Sequence, residues 1–401
     1  MIEALYVHIP FCVSRCAYCD FATSACHDDA LMDAYVDALS MQIRRASKAG
    51  LLGALRTIYI GGGTPTHLGH KRLNSLVYLI SLSVNLEGVE EFTIECNPES
   101  LDARMVKDLY ALGVSRFSMG AQSFDGAELR FFGRAHDVSD IACAAAAVKE
   151  READLSLDLI CGIPGQSLET WEANVKAALD CSIDHISIYP LTVEEGTPLS
   201  ARIEAGECEA PDEDLQAEMM IAAGRLCEAA GMHRYEVASY ALPGHESKHN
   251  SAYWSGVSYL GLGAAAASMM TPQEYDACAA AGIFGEADDD TACDGTARLR
   301  VQADADAAAF AASLGRPFVE IELLSGREAI LEDAMLAFRT SAGLSAQRSA
   351  AFCAAVPELS DALRALQSKG LIEVTCDGAQ VPTQRGWLMG NEIFGTIWDL
   401  A

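Results

Sequence analysis

Residues 6–21 read Tyr6-Val7-His8-Ile9-Pro10-Phe11-Cys12-Val13-Ser14-Arg15-Cys16-Ala17-Tyr18-Cys19-Asp20-Phe21. A strand-like apolar run, Leu5–Ile9, passes directly into a loop whose cysteines are separated by three and then two residues. Three thiolates on one short loop can hold three corners of an iron–sulfur cube, because cluster irons take soft sulfur ligands. A cube held by three cysteines keeps one iron open for an exchangeable ligand, as a catalytic zinc site keeps one position open. The competing reading is structural zinc, which wants a fourth ligand that Cys26 or His27 could supply. Three unrelated cysteines is the bland alternative. The spacing together with its place behind a first strand favours a [4Fe–4S] cluster on Cys12, Cys16 and Cys19.

Working outward, short β-rich runs alternate with longer helical patterns. The strand candidates are Leu5–Ile9, Thr57–Ile60, Phe92–Glu95, Arg116–Met119, Leu155–Leu159 and His185–Tyr189. Between them lie stretches apolar at helical intervals, such as Ala30–Lys48, Lys71–Ser81, Asp102–Leu112, Ser139–Glu152 and Leu168–Asp180. Six such alternations predict an α/β fold, a partial (β/α)6 TIM-like barrel with helices packed outside a parallel sheet. Barrels of this kind place ligands at the C-terminal ends of their strands. Cys12 follows the first strand, Gly61-Gly62-Gly63 the second and Asn97 the third.

From Pro211 the pattern changes. A helix over Asp212–Ala230 and a strand over Tyr235–Tyr240 are expected, then a polar, aromatic loop. Residues 275–297, rich in Ala, Asp and Gly, show no periodicity and read as an acidic surface insertion. The last segment reads as two helices and a hairpin (Leu371–Thr375, Gln380–Pro382) around Asp377-Gly378, a small winged-helix-like domain. The division expected is 1–205 for the barrel, 206–324 for its extension and 325–401 for the C-terminal domain.

The 401 residues carry a net charge of −29, 57 acidic against 28 basic. Nucleic acid as the main partner is excluded, since phosphate binding needs a basic stripe. No stretch supplies the roughly 18–20 apolar residues of a spanning helix, and Met1–Tyr6 does not read as a signal peptide. A cytoplasmic location is expected, which also speaks against disulfides among the 14 cysteines. Cys143, Cys161, Cys181 and Cys227 stand singly in apolar or Ala-rich contexts and read as small core residues.

The cysteine spacing and its setting resemble the radical S-adenosylmethionine superfamily. In that superfamily the open iron chelates the cofactor's amino and carboxylate groups, and an electron from the cluster cleaves the sulfonium. The resemblance covers nearly the whole chain and implies further contacts with S-adenosylmethionine. Gly62, Gly63 and Thr64 belong to the family's glycine turn, which taken alone could be any tight turn. Glu95, Gln122 in Gly120-Ala121-Gln122-Ser123-Phe124, Arg134 in Gly133-Arg134-Ala135-His136 and Asp158 in Leu157-Asp158-Leu159 match four polar contacts. Tyr6 aligns with a tyrosine near the carboxylate, and Tyr18 with the aromatic lining the adenine side.

The wider segment is similar to the oxygen-independent coproporphyrinogen III oxidase group and to the related HemW family of haem chaperones. The oxidases carry another cysteine two positions after the third cluster cysteine, where this chain has Phe21, and a longer N-terminal extension; this chain begins five residues before Tyr6. His249-Asn250-Ser251-Ala252-Tyr253-Trp254 matches the chaperones' His-Asn-x-x-Tyr-Trp motif, which implies haem binding by His249, Asn250, Tyr253 and Trp254. Imidazole is a good axial ligand, and Tyr and Trp offer flat faces to a porphyrin. The bland reading is a loop whose aromatics pack a domain junction; His245 is a second candidate ligand without a family match. Many chaperones have Gly-Ala-His after the Gly-x-Gly turn, whereas Gly261-Leu262-Gly263-Ala264-Ala265-Ala266 lacks the histidine and looks closer to the oxidases. The resemblance implies a haem chaperone that binds haem and passes it to acceptor haemoproteins, respiratory enzymes among them. Radical decarboxylation of coproporphyrinogen III is the alternative, and a homodimer is left open.

Overall fold

The six apolar runs become six consecutive parallel strands in the computed structural model, which describes residues 1–287 and 295–401. They are β1 (Ala4–Ile9), β2 (Thr57–Gly62), β3 (Glu91–Cys96), β4 (Arg116–Gln122), β5 (Asp154–Cys161) and β6 (His185–Pro190). Each pairs with the next in chain order, with Val7 opposite Ile60, Ile58 opposite Phe92 and Leu157 opposite Ile186. Their apolar side chains are fully buried, as a parallel sheet under a helical layer requires. The intervening helices are α1 (Asp29–Lys48), α2 (Gly69–Ser83), α3 (Ala103–Ala111), α4 (Gly126–Phe132), α5 (Val138–Lys149) and α6 (Leu168–Asp180). Five of them start at a side-chain cap, Asp28, Asp102, Asp125, Asp137 or Ser167, which satisfies orphan backbone N–H groups.

Beyond α7 (Pro198–Glu204) and α8 (Glu213–Ala229) come β7 (His233–Arg234), β8 (Ser239–Ala241), α9 (Lys248–Ser255), β9 (Tyr259–Leu262), β10 (Ala267–Met270), α10 (Pro272–Ala280), β11 (Thr296–Ala303), α11 (Ala307–Ala312) and β12 (Val319–Ser325). The sheet order is β12-β11-β10-β9-β1-β2-β3-β4-β5-β6-β8-β7. β9 adds a seventh parallel strand beside β1, and the flanks are antiparallel, so the barrel stays open.

Two local expectations need correction. The strand read over Tyr235–Tyr240 is mostly the turn between β7 and β8, with only Ser239 and Tyr240 in a strand, and Tyr235 N–H donates to the Ser239 carbonyl at 3.3 Å across it. The segment 275–297 is not an aperiodic insertion at its start: α10 runs to Ala280 from a Thr271/Glu274 capping box, with Tyr275 and Cys278 buried. Alanine's helix propensity and that box outweigh the missing apolar stripe. Ile283 and Phe284 are buried too, β11 begins at Thr296, and residues 288–294 lie outside the described part.

At Ser325, which caps α12 (Gly326–Ala337), a second hydrophobic core begins, built on Leu331, Phe338, Leu363, Leu371, Ile393 and Ile397. It holds α13 (Ala346–Ala355), α14 (Leu359–Ser368), the hairpin β13 (Ile372–Val374) and β14 (Gln380–Pro382), α15 (Gln384–Leu388) and α16 (Gly390–Trp398). Stacked guanidinium groups join it to the barrel: Arg339 lies over Trp254 and Phe394 at 5.1 and 4.4 Å, Arg234 over Tyr240 and Trp387. No described helix is long and apolar enough to cross a membrane, and the described cysteines are all free.

Candidate functional site

The cysteine loop leaves β1 and is pinned from several sides. Ser24 N–H donates to the Pro10 carbonyl at 2.8 Å, Cys26 N–H to the Cys12 carbonyl at 3.1 Å and Ala17 N–H to the Phe132 carbonyl at 2.9 Å. Beneath it a small apolar cluster of Phe132, Ile160, Ile163, Leu191 and Leu199 supports Tyr18, whose ring meets Phe132 edge-on at 4.9 Å. Cys12, Cys16 and Cys19 all line one cavity of about 510 Å³ at the C-terminal ends of the strands. Burial pushes the Cys12 and Cys19 thiols up. Thr64 Oγ1 donates to Cys12 Sγ at 3.5 Å, and Arg134 Nη1 to Cys16 Sγ at 3.4 Å. Both contacts favour sulfur charge, as ligand-shell donors do.

The three thiols are not among the His, Cys and acidic groups whose ligand atoms converge within 4.8 Å. Neither Cys26 nor His27 lines the cavity. Among the described residues the converging group is Asp154, Asp184 and His245. Lys149 Nζ at 2.7 Å from Asp184 and the Arg116 guanidinium at 3.7 Å from Asp154 already offset its charge.

The cavity wall comes from the strand ends. At the end of β2 the chain takes a positive φ of 112° at Gly62, whose N–H donates to Glu95 Oε2 at 2.9 Å. A Cβ on Gly63 would lie 2.8 Å from the Phe11 carbonyl oxygen and 3.0 Å from Cys12 Sγ, so only glycine lets this turn close against the cysteine loop. Glu95 also accepts from Tyr59 Oη at 2.7 Å. Burial raises its pKa to about 7 against those two bonds. Asp158 on β5 is raised to about 6 by burial, offset by Ser187, Arg116 and Arg134. A bulge after Met119 puts Gln122 at φ 66°, a left-handed conformation that turns its side chain toward the cavity. Arg134 donates through Nη2 to Asn97 Oδ1 and the Gly120 carbonyl, both at 2.7 Å, while Asn97 Nδ2 donates to Thr64 Oγ1 at 3.1 Å. Arg134 Nε is sealed from solvent and has no protein partner. Thus Tyr18, Gly62, Gly63, Thr64, Glu95, Gln122, Arg134 and Asp158 share one cavity with the three cysteines. Tyr6 does not line it: its ring sits behind Tyr59 at 6.2 Å, and its hydroxyl bonds His8 Nδ1 at 2.9 Å.

The other end of the barrel is closed by the His249–Trp254 motif, which forms α9. Glu91, first residue of β3 and 5 % exposed, accepts from Lys248 N–H at 2.9 Å and His249 N–H at 3.0 Å, and from the Thr93 and Ser247 hydroxyls at 3.1 and 3.4 Å. His249 is fully buried. Its Nδ1 bonds Thr57 Oγ1 and its Nε2 the Tyr253 hydroxyl, each at 2.9 Å, and its ring stacks on Tyr59 with centroids 5.1 Å apart. Burial lowers its pKa to about 3, so the ring is neutral. Neither ring nitrogen is free for a metal in this conformation. Asn250 is the motif residue that lines the cavity, from below, while Trp254 carries the Arg339 stack. His245 holds Asp154 at 2.8 Å through Nδ1, and its carbonyl accepts from Arg116. Sequence reasoning missed Glu91 and Tyr59; their signal is position, four residues from Glu95 and two from Thr57 respectively, on strands that alternate their faces.

The profile of the Radical SAM superfamily matches residues 6–178. The chain is 33% identical to "Heme chaperone HemW" of Bacillus subtilis over 99% of both proteins. It is 34% identical to "Radical S-adenosyl methionine domain-containing protein 1, mitochondrial" of Mus musculus over 67% of this chain and 61% of that protein. Among solved structures, coproporphyrinogen III oxidase (HemN) from Escherichia coli superposes with a TM-score of 0.77 at 20% identity, over 99% of this chain and 90% of that one, which speaks for the fold.

Proposed function

Because the chain belongs to the HemW family within the Radical SAM superfamily, we propose that it is a haem chaperone that works in the cytoplasm. In this reading it holds a [4Fe–4S] cluster on Cys12, Cys16 and Cys19, binds S-adenosylmethionine beside it, and passes haem to acceptor haemoproteins. One observation carries the cofactor part: three thiols, two carboxylates held near neutrality and a guanidinium with an unpartnered Nε face a single cavity. The donor set fits the groups it would receive. Thiolates suit iron; Glu95 and Asp158 suit the cationic and hydroxyl groups of the cofactor, and Arg134 suits an anionic one.

When bound, the cluster and cofactor supply one-electron cleavage of a sulfonium bond. The chain's own residues bind and orient. Thr64 and Arg134 donate to ligand sulfurs, the Gly62–Gly63 turn brings backbone against the loop, and burial of the thiols means that assembly must release their protons. Phe21, where the oxidases have cysteine, is 71% exposed at the cavity rim and offers an apolar face instead of another thiol. That residue and the relative matched over its full length support a carrier of haem over the coproporphyrinogen III oxidase reading.

The test is haem titration into anaerobically reconstituted protein, followed in the Soret region, with coproporphyrinogen III turnover measured alongside. Stoichiometric haem binding without decarboxylation is the expected result; turnover with no specific haem site overturns the reading. Replacing Cys12, Cys16 and Cys19 together by serine removes the visible iron–sulfur absorbance, and retained cluster iron in that variant sinks the cofactor assignment.

A further inference from the structure

We propose that His249 is a positioning residue: through the face of Tyr59 it holds Glu95 in place for S-adenosylmethionine, and it does not ligate haem iron. The inference rests on the cofactor reading above and is argued from five contacts. Along β2, Thr57, Tyr59 and Gly61 fall on one face, since side chains alternate. Thr57 fixes Nδ1 of His249, and Tyr253 fixes Nε2, so the imidazole cannot turn. Tyr59 lies flat on that imidazole, with planes 25° apart, and Tyr6 flanks its ring 29° off plane at 6.2 Å. The hydroxyl of the sandwiched Tyr59 donates to Glu95 at 2.7 Å.

Gly61 makes the approach possible. A Cβ there would meet Tyr59 Cε1 at 2.6 Å and the Glu95 carboxyl carbon at 2.8 Å. The two faces of the barrel are also joined through β3: Glu91 holds the start of α9 and Glu95 faces the cavity, two residues of one strand face about 13 Å apart. A histidine ligating haem iron would have to break one of its ring bonds and leave a stacked, fully enclosed position. A histidine that aims a tyrosine hydroxyl needs both bonds and the stack. Of these two roles, the second uses every contact seen.

The groups facing Glu95 are Tyr6 from β1, Tyr59 from β2, Asp158 from β5, Tyr189 from β6 and Tyr253 from α9. Among the described residues only Tyr59 donates a side-chain hydrogen bond to it. Loss of that donor, directly or through a loosened Tyr59, raises the pH at which Glu95 ionises and moves cofactor binding with it.

The experiment uses reconstituted full-length protein. S-adenosylmethionine affinity is measured by calorimetry from pH 6 to pH 9 in the parent, His249→Ala, His249→Phe and Tyr59→Phe forms, with the haem Soret maximum recorded for each. His249→Ala is expected to weaken the cofactor about tenfold, the scale of one hydrogen bond to a charged group. It also shifts the pH midpoint upward, in the direction of Tyr59→Phe, and the double variant loses no more than the larger single loss. His249→Phe, which keeps a flat ring against Tyr59 but cannot bind iron, recovers affinity to within about threefold of the parent. Its Soret maximum is unchanged. Unaltered affinity and midpoint in His249→Ala, or a displaced Soret band in His249→Phe, overturns the inference. Should His249→Ala not fold, Tyr253→Phe, which deletes only the hydroxyl on Nε2, is read by the same midpoint shift. A parent protein that binds no S-adenosylmethionine fails the cofactor reading itself, a separate outcome.

Discussion

Glu91→Ala is the sharpest probe of the barrel floor. The Glu91 carboxylate accepts from two backbone N–H groups at the start of α9, Lys248 at 2.9 Å and His249 at 3.0 Å, out of reach of water. Its other donors, the Thr93 and Ser247 hydroxyls, can rotate toward new partners, but the two amides cannot. Leaving a buried donor unmade costs about 1–3 kcal/mol, and the lost anion at a helix N-terminus adds about 0.3–1 kcal/mol. A loss of about 3–5 kcal/mol follows. With an unfolding entropy of about 2.1 cal/mol/K per residue, the melting temperature of a protein this size falls by ~4–6 °C. Calorimetric melting of the parent, Glu91→Ala, Glu91→Gln and Glu90→Ala proteins checks it. Glu91→Gln keeps one carbonyl acceptor and should lose about half as much. Glu90→Ala removes only exposed ion pairs, to Arg56 at 2.6 Å and to Lys248 at 3.8 Å, and should melt close to the parent. A Glu91→Ala protein melting within about 1 °C of the parent refutes the claim that this carboxylate anchors α9.

At the other end, Gly63→Ala forces a methyl group within 3.0 Å of Cys12 Sγ and 2.8 Å of the Phe11 carbonyl, so reconstituted iron and its visible absorbance should drop severalfold; full iron loading would contradict the close approach. Burial raises Glu95 and Asp158 to about 7 and about 6, so protonation favours the folded state. That contribution is whole below the unfolded carboxylate pKa near 4 and is lost as pH rises through 6 and 7. For Glu95 it is on the order of 3 kcal/mol. Glu95→Gln should therefore flatten the fall in melting temperature between pH 5 and pH 8; a parallel pH profile in that variant would show the carboxyl to be unperturbed. Arg339→Ala removes stacking on Trp254 and Phe394, each contact scaling as about 1–2 kcal/mol when enclosed. Faster amide exchange across residues 326–398, with iron–sulfur absorbance retained, is the expected signature, and unchanged exchange counts against the clamp.

The parallel strands were legible because each is a short apolar or alternating run between helical stretches, and the pairing order follows the chain order. The cysteine loop was legible through its spacing, and Glu95, Gln122, Arg134 and Asp158 through their place at or near strand ends, where the cavity opens. Tyr6 was not: its hydroxyl turns to His8, two residues away on the same strand face, so an aligned tyrosine ended one ring behind the wall. Residues 275–280 were misread because alanines carry no stripe, and only Tyr275 and Cys278 report which face is buried. The hairpin β7–β8 was blurred for a different reason. A run of tyrosines and a valine scores as one strand, and nothing local marks the turn at Glu236 and Val237.

Glu91 and His249 show what spacing cannot reveal. A histidine, an asparagine, a tyrosine and a tryptophan on one short helix look like a porphyrin surface, because ligand chemistry and packing chemistry draw on the same side chains. What separates the two is whether the polar atoms are already engaged. His249 has both nitrogens bonded and a ring stacked on Tyr59, whereas Arg134 keeps an Nε without a partner beside the thiols. Unsatisfied buried polar groups are rare because they are costly, and Arg134 Nε beside the thiols is one of several among the described residues. Within the motif both His249 nitrogens are engaged, while Trp254 Nε1 has no hydrogen-bond partner; Glu91 fixes the start of α9 under β3, and β3 carries Glu95 to the cavity. On that argument His249 acts on the Glu95 end of the cavity through the strands that α9 closes, not as a metal ligand.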